Sequence, residues 1–184
     1  MTDPLLFDIA EVLIASDRLQ ERVGELARAI DRDYAALRPV LVGVLRGSVY
    51  FLVDLSRQLR IPHEIDFMAI AAYGTRHATT GAVRLLKDLE DEVTDRHVLL
   101  VEDIIDTGLT ASYLVRLLRA RRPASLAICT LLDKRTRRIA EDLPIRYVGF
   151  EIPDRFVVGY GLDFRQLYRN LPFVGVLREE VFND

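Results

Sequence analysis

The sequence runs Val98-Leu-Leu-Val-Glu-Asp-Ile-Ile-Asp-Thr-Gly-Leu-Thr110 just past its midpoint. Four apolar residues lead into two adjacent carboxylates, Glu102 and Asp103, and a third acid, Asp106, precedes a Thr-Gly turn. A short apolar run of this kind is typical of a parallel strand that is covered on both faces. In an open parallel sheet, ligands bind beyond the carboxyl ends of the strands. The sequence therefore places these acids where a ligand is expected.

The turn that follows, residues 106–110, has the features of an anion site. Gly108 permits close approach of the backbone, Thr107 and Thr110 supply hydroxyl groups, and a helix is predicted to begin here with free amides that attract anions. Acids on one side and amides on the other suit a ligand with hydroxyls at one end and phosphate at the other, such as ribose 5-phosphate. A plain helix cap with solvated acids is the alternative interpretation. The glycine spacing excludes a Walker A loop and a dinucleotide-binding motif.

Strand-like and helix-like segments alternate on both sides of this stretch, which predicts an α/β fold with a central, mostly parallel sheet flanked by helices. Helices are predicted near residues 17–34, 48–59 and 110–122. Strands are predicted near residues 39–45, 63–72, 82–87, 97–103 and 125–132, with shorter ones at 147–150, 156–158 and 173–177. No repeat or linker interrupts the chain, so a single domain over residues 1–184 is expected, with a small irregular hood formed by the terminal segments.

Composition limits the functional classes. The 184 residues include 25 Lys and Arg and 28 Asp and Glu, which gives a net charge of −3. This balance argues against non-specific nucleic-acid binding. No apolar run approaches the roughly 18 residues of a membrane span, and the first residues lack the basic region of a secretory signal. A cytoplasmic protein is expected. The lone Cys129 lies in an apolar run, which predicts a buried structural thiol. The basic residues 134–138 favour a solvated helix face over a nucleic-acid site.

Residues 98–110 resemble the PRPP-binding signature of the type I phosphoribosyltransferases, where PRPP is 5-phosphoribosyl-1-pyrophosphate. The form Glu-Asp-Ile-Ile-Asp-Thr-Gly resembles the hypoxanthine-guanine branch in particular. Three further segments match that branch in order, namely Gly43-Val-Leu-Arg-Gly-Ser48, Leu131-Leu-Asp-Lys-Arg-Thr136 and Glu151-Ile-Pro-Asp-Arg-Phe-Val-Val-Gly-Tyr-Gly-Leu-Asp-Phe-Arg-Gln-Leu-Tyr-Arg169. The resemblance implies the type I fold and transfer of ribose phosphate from PRPP to hypoxanthine or guanine, with Mg²⁺ as cofactor.

The resemblance also implies roles for individual residues at the PRPP end of the site. It assigns PRPP or nucleotide binding to Glu102, Asp103, Asp106, Thr107, Gly108, Leu109, Thr110, Arg46, Gly47 and Arg169. It assigns Mg²⁺ to Glu102, Asp103 and Asp163, directly or through water. The Leu45–Arg46 peptide bond would be cis. Asp106 would accept the purine N7 proton as a general base.

At the purine end, the resemblance implies that Lys134 donates to the 6-oxo group, Phe156 stacks on the base and the backbone of Val157 contacts its exocyclic edge. Ala72 and Tyr73 would begin a polar lid that runs to residue 81. The family commonly has serine where Ala72 stands, so a side-chain hydroxyl contact is lost at that position.

Two alternatives stay open at this point. One is the same reaction with a preference for xanthine, because sequence does not decide which base is preferred. The other is a nucleotide-sensing RNA-binding regulator on the same fold, which the acidic balance and the purine-type segment 151–169 disfavour. The expected partners are PRPP and a purine base, with neither nucleic acid nor membrane, and the resemblance implies a homodimer or homotetramer.

Overall fold

The computed structural model describes residues 4–73 and 82–182. The strands are β1 (Ile9–Ile14), β2 (Val40–Leu45), β3 (Glu64–Tyr73), β4 (Ala82–Lys87), β5 (His97–Ile105), β6 (Ser125–Asp133), β7 (Ile145–Glu151), β8 (Val157–Val158) and β9 (Val174–Leu177). The helices are α1 (Ser16–Asp33), α2 (Val49–Gln58), α3 (Leu109–Ala120) and α4 (Glu179–Phe182), with 3-10 turns at Pro4–Asp8 and Arg135–Arg137.

The main sheet has six strands in the order β4-β3-β2-β5-β6-β7. All neighbours pair in parallel except β4, which is antiparallel to β3. Along β5, Leu99 and Val101 enter the core beneath α1 and α2, while Val98 and Leu100 enter the core beneath α3. Burial on both faces explains the continuous apolar run in the sequence. The predicted α/β fold with a mostly parallel sheet flanked by helices is confirmed.

Strand β5 is longer than the sequence predicts. It was expected to end at Asp103, but it stays paired with β6 as far as Ile105, which lies opposite Asp133. The pairing continues because the apolar residues Ile104 and Leu132 still lie side by side in the sheet. The two adjacent acids are consequently part of the strand itself, so regular backbone pairing fixes their positions.

The hood is more regular than expected. It contains a three-stranded antiparallel sheet in the order β1-β9-β8. Strand β1 was not predicted, because its sequence lacks clean alternation and its pairing with β9 contains two register irregularities. Its partner lies near the other end of the sequence, with Ile9 opposite Leu177. The local hydrophobic pattern of a sequence does not predict a pairing between such distant segments.

One further segment, residues 159–171, is here named the hood loop. Four of its non-glycine residues have left-handed backbone angles: Tyr160, Arg165, Gln166 and Tyr168. Two tyrosine hydroxyls tie it to other parts of the fold. Tyr160 donates to Asp54 on α2 at 2.6 Å, and Tyr168 donates to Asp8 beside β1 at 2.6 Å. The loop is therefore irregular in conformation but attached at both ends.

Candidate active site

A cavity of about 300 Å³ lies at the carboxyl edge of β2 and β5, beneath the hood loop. The predicted PRPP and metal residues that line it are Arg46, Gly47, Glu102, Asp103, Asp106, Thr107, Gly108, Thr110, Asp163 and Arg169. Leu109 is outside this lining, and its side chain is 47% exposed. Leu109 could therefore contribute only through its backbone. The structure brings together residues that are up to 123 positions apart in the sequence, Arg46 and Arg169 at the extremes.

Glu102, the first of the two adjacent acids of β5, is buried with an oxygen that is unpartnered among the described residues. Glu102 is only 5% exposed, and its Oε1 has no hydrogen-bond partner within residues 4–73 and 82–182. Burial, reinforced by the charge of Asp103, raises the pKa of Glu102 well above its usual value. Burial also raises the pKa of Asp103 to about 6. Two adjacent carboxylates, one of them buried with an oxygen that no described residue partners, fit a divalent cation that would favour their charged forms.

The third predicted metal residue has a different partner in this structure. Asp163 Oδ1 lies 2.6 Å from Arg169 Nη2 in an ion pair. Within the described part of the chain, no group of three or more His, Cys, Asp or Glu side chains is arranged to hold a metal. A hard ion such as Mg²⁺ accepts this arrangement, because it commonly takes one or two carboxylates and completes its shell with water and substrate oxygens.

The raised pKa of Asp103 predicts a pH dependence of stability. Its pKa rises from 3.8 to about 6 on folding, so ionisation opposes folding. The contribution of Asp103 is most favourable near pH 4 and is lost as the pH rises through 6. Between pH 4 and 7, urea unfolding of the metal-free protein should therefore show the stability of Asp103→Asn rising relative to the wild type by roughly 2–3 kcal/mol. A difference that stays constant with pH would contradict this.

The turn between β5 and α3 has a left-handed glycine and, as far as the described residues show, free backbone amides. Gly108 has a φ of +80°, a left-handed conformation that suits glycine, at the start of α3. The amides of Ile139 and Ala140 both donate to the carbonyl of Thr107, at 2.9 and 3.1 Å, and support the turn from behind. In the part of the chain that is described, the amides of residues 106–108 donate to no backbone carbonyl. Free amides at a helix start attract anions, and phosphate binding at this turn stays a prediction.

The second turn of the cavity, after β2, is packed without spare room. The Leu45–Arg46 peptide is cis, as expected from the resemblance. A Cβ atom added to Gly47 would overlap Asp103 Oδ2 and lie 2.7 Å from Asp103 Cγ. A Cβ added to Gly161 of the hood loop would in turn overlap the carbonyl oxygen of Gly47. The Gly47 backbone is thus enclosed between an acid of β5 and the hood.

A second cavity, of about 680 Å³, adjoins the first on the hood side. Lys134 and Phe156 line it, as predicted for purine binding, and so does Asp106. Lys134 is 7% exposed, with its Nζ 3.5 Å from Asp154 Oδ1. Phe156 is half-exposed and stacks on Phe182. A flat, partly open aromatic face beside a buried ammonium suits a planar base with an oxo group.

Three further residues have predicted roles, namely Val157 in base binding and Ala72 and Tyr73 in the lid. The side chain of Val157 is buried, and the residue pairs with Val176 in the hood sheet without lining the cavity. Only its backbone could meet a base. Ala72 and Tyr73 are the last residues of β3, and residues 74–81, where the lid was predicted, lie outside the described residues.

Sequence reasoning missed Arg137. Its Nε lies 3.0 Å from Asp106 Oδ1, and its Nη1 lies 3.3 Å from Asp154 Oδ1. The basic run 134–138 was interpreted as a solvated surface, yet it also contains the buried Lys134 and the buried ion pair between Arg138 and Asp133. The available signal was the spacing of Lys134 and Arg137, since residues i and i+3 of a 3-10 turn share one side.

Replacing Lys134 with methionine should impair the use of the base more than the use of the sugar phosphate. Methionine keeps the approximate length of the lysine side chain but removes the ammonium group, which supplies all of the hydrogen-bond donors of that side chain. We expect the KM for an oxopurine to rise about tenfold or more, because a charged hydrogen bond contributes roughly 1.5–3 kcal/mol, while the KM for PRPP changes little. Steady-state kinetics with each substrate varied in turn will measure this. An equal rise in both constants would contradict the placement of Lys134.

The fold and the first cavity define a class of α/β protein with a ligand site at the carboxyl edge of a mostly parallel sheet. Comparison with known proteins narrows that class. The family model described as "Phosphoribosyl transferase domain" matches residues 14–165. The chain is 50% identical to a hypoxanthine phosphoribosyltransferase of Salmonella typhimurium, over 90% of this chain and 93% of that protein. It is 46% identical to a hypoxanthine-guanine phosphoribosyltransferase of Bacillus subtilis, over 95% and 97% respectively.

Solved structures agree with these relatives. A crystal structure of a hypoxanthine phosphoribosyltransferase from Staphylococcus aureus has a TM-score of 0.95 and 42% identity, covering 100% of both chains. The chain therefore belongs to the phosphoribosyltransferase family. The resemblance to its hypoxanthine-guanine branch, made from the motifs, is confirmed.

Proposed function

We propose that this enzyme transfers the phosphoribosyl group of PRPP to hypoxanthine or guanine, forming IMP or GMP and releasing pyrophosphate. One observation carries the proposal beyond family membership. Asp106 lines both cavities, so a single carboxylate stands between the sugar-phosphate site and the base site. A general base for the purine N7 proton has to stand at that junction.

The chain's own residues account for the binding of each substrate part. The free amides of residues 106–108 and the hydroxyl of Thr110 hold the 5-phosphate at the start of α3. Lys134 donates to the 6-oxo group, and Phe156 stacks on the ring. This arrangement brings the base nitrogen to the anomeric carbon, and fixing two reactants in this way supplies much of the rate enhancement.

As the bond from C1 to pyrophosphate lengthens, negative charge grows on the leaving group. Arg46, Arg169 and the backbone around Gly47 lie on that side of the first cavity and stabilise the charge. Members of this family generally use Mg²⁺ with PRPP. Glu102 and Asp103 are the residues that would hold the ion here, with Asp163 acting directly or through water. An ion held there would supply neutralisation of the charge on the leaving group.

A pyrophosphate-release assay tests the proposal. Purified protein would receive PRPP and Mg²⁺ with hypoxanthine, guanine, xanthine, adenine or uracil in separate reactions. We expect turnover with hypoxanthine or guanine and little with adenine or uracil, because adenine offers an amino donor to Lys134 where an oxo acceptor is required. Preferred use of xanthine would replace the proposed base, and release with no base at all would remove the transferase assignment.

The proposal extends to the cellular setting. No helix within residues 4–73 and 82–182 is long and apolar enough to cross a membrane. We propose a single domain over residues 1–184, acting in the cytoplasm as a homodimer or homotetramer without nucleic acid. Light scattering after size-exclusion chromatography would give the subunit number. A gel shift with RNA, with and without IMP, would show no retardation unless the regulatory alternative is correct.

A further inference from the structure

Two cations of the first cavity share one neutral partner. Arg46 Nη1 and Arg169 Nη2 both donate to the side-chain oxygen of Gln166, at 3.0 and 3.2 Å. Arg46 comes from the turn after β2, and Arg169 comes from the end of the hood loop. The side-chain oxygen of Gln166 therefore connects the two arginines that the family resemblance assigned to ligand binding.

The backbone of Gln166 is fixed in a specific way. Its φ is +69°, and its amide donates to Asp163 Oδ2 at 2.9 Å. The other oxygen of Asp163 pairs with Arg169, whose Nη1 also donates to the carbonyl of Gly161 at 2.6 Å. Asp163 thus holds Arg169 and the Gln166 backbone together, and the amide oxygen of Gln166 extends this arrangement to Arg46.

The neutrality of the link matters for an anionic ligand. A carboxylate at position 166 would also accept from both guanidinium groups, but it would cancel part of their positive charge. An amide oxygen orders the two groups without adding to the negative charge that Asp163 already places beside Arg169. Arginine side chains lose rotamer freedom when they bind, so ordering them beforehand removes part of that cost.

We propose that Gln166 is a positioning residue that holds Arg46 and Arg169 as a preformed clamp for the pyrophosphate group. This inference rests on the proposed function, since it assigns the leaving group to that end of the first cavity. Gln166 itself need not touch the ligand. Its role is to keep two mobile cations, from distant parts of the chain, at one spacing before PRPP arrives.

The test is calorimetric titration of the purified protein with inorganic pyrophosphate in the presence of Mg²⁺. Gln166→Met keeps the length and flexibility of the side chain but removes the acceptor. We expect it to weaken pyrophosphate binding about tenfold and to raise the KM for PRPP by a similar factor. Gln58→Met makes the same change at the far end of α2, where the side chain packs on Gly24, and should bind pyrophosphate like the wild type.

Gln166→Glu separates ordering from charge. It keeps an acceptor of the same reach, so both arginines stay ordered, but the clamp carries less positive charge. We expect weaker pyrophosphate binding together with a smaller dependence of the affinity on salt concentration, whereas Gln166→Met keeps the salt dependence of the wild type. In both variants the affinity for IMP should stay within about twofold, because the monophosphate lies at the α3 end of the cavity.

The outcomes are distinguishable. Wild-type affinity for pyrophosphate in Gln166→Met would overturn the clamp, and so would an equal loss of affinity for IMP, which would indicate general damage to the hood loop. Wild-type protein that binds IMP but not pyrophosphate would overturn the clamp as well. Wild-type protein that binds neither, and releases no pyrophosphate in the assay described above, would overturn the proposed function.

Discussion

Gly47→Ala should cost the enzyme at least about 10²-fold in kcat/KM for PRPP. The new methyl group would overlap Asp103 Oδ2 and lie 2.7 Å from Cγ of the same side chain. Retreat of the backbone is blocked, because the Gly47 carbonyl already lies against Gly161. Either Asp103 or the turn has to move, and a misplacement of about 1 Å in a positioned site can cost this much. Steady-state kinetics and the unfolding free energy should be measured together.

Gly24→Ala is the matched control for this substitution. It adds the same methyl group inside α1, where the nearest atom is the movable amide end of Gln58 at 2.7 Å. Alanine also favours helix over glycine by about 1 kcal/mol, so the protein should remain folded and active. If Gly47→Ala kept more than half of the wild-type kcat/KM, the tight packing between Asp103 and the hood would have no role in the reaction.

Asp106→Asn should lower kcat by about 10²–10⁴-fold, the usual contribution of a general base, while the affinity for PRPP changes only a few-fold. Asparagine has the same shape, so the turn before α3 and the partition between the two cavities should persist. The substitution removes the ability to take a proton and also the charge that pairs with Arg137, an exposed ion pair whose loss should cost little. Single-turnover kinetics would report the chemical step, and titration with PRPP in the presence of Mg²⁺ would report binding.

The control for Asp106→Asn is Asp88→Asn, which removes a carboxylate that pairs with Arg121 outside both cavities. That variant should keep its turnover. Turnover in Asp106→Asn equal to that of the wild type would remove Asp106 from the chemistry and leave it a binding role only. Equal losses of turnover and of PRPP affinity would point to damage of the turn instead.

The sequence predicted those parts of the site that depend on local chemistry. The apolar run of β5, the acids at its end and the glycine turn before α3 are contiguous, and each has a local physical reason to adopt its structure. The family resemblance added the two distant arginines and Lys134. These three residues come close together only because of the order of strands in the sheet, and no single segment of the sequence predicts that order.

The parts that escaped prediction depend on contacts between distant segments. Strand β1 forms against β9, so its pairing is invisible to local periodicity. Arg137 reaches Asp106 only because the segment after β6 folds back beside the turn before α3. Gln166 acquires its position from a left-handed backbone in the hood loop, and only glycine and asparagine would have signalled that conformation in the sequence.

Strand β9 is the central strand of the hood sheet, and this has a consequence for how the protein is made. Strand β1 is synthesised more than 150 residues before β9, the strand with which it pairs. Val176 and Leu177 of β9 also line the base cavity. The six-stranded sheet can therefore form before β9 has been made, whereas the hood sheet and the proposed purine site are completed only once β9 pairs with β1 and β8.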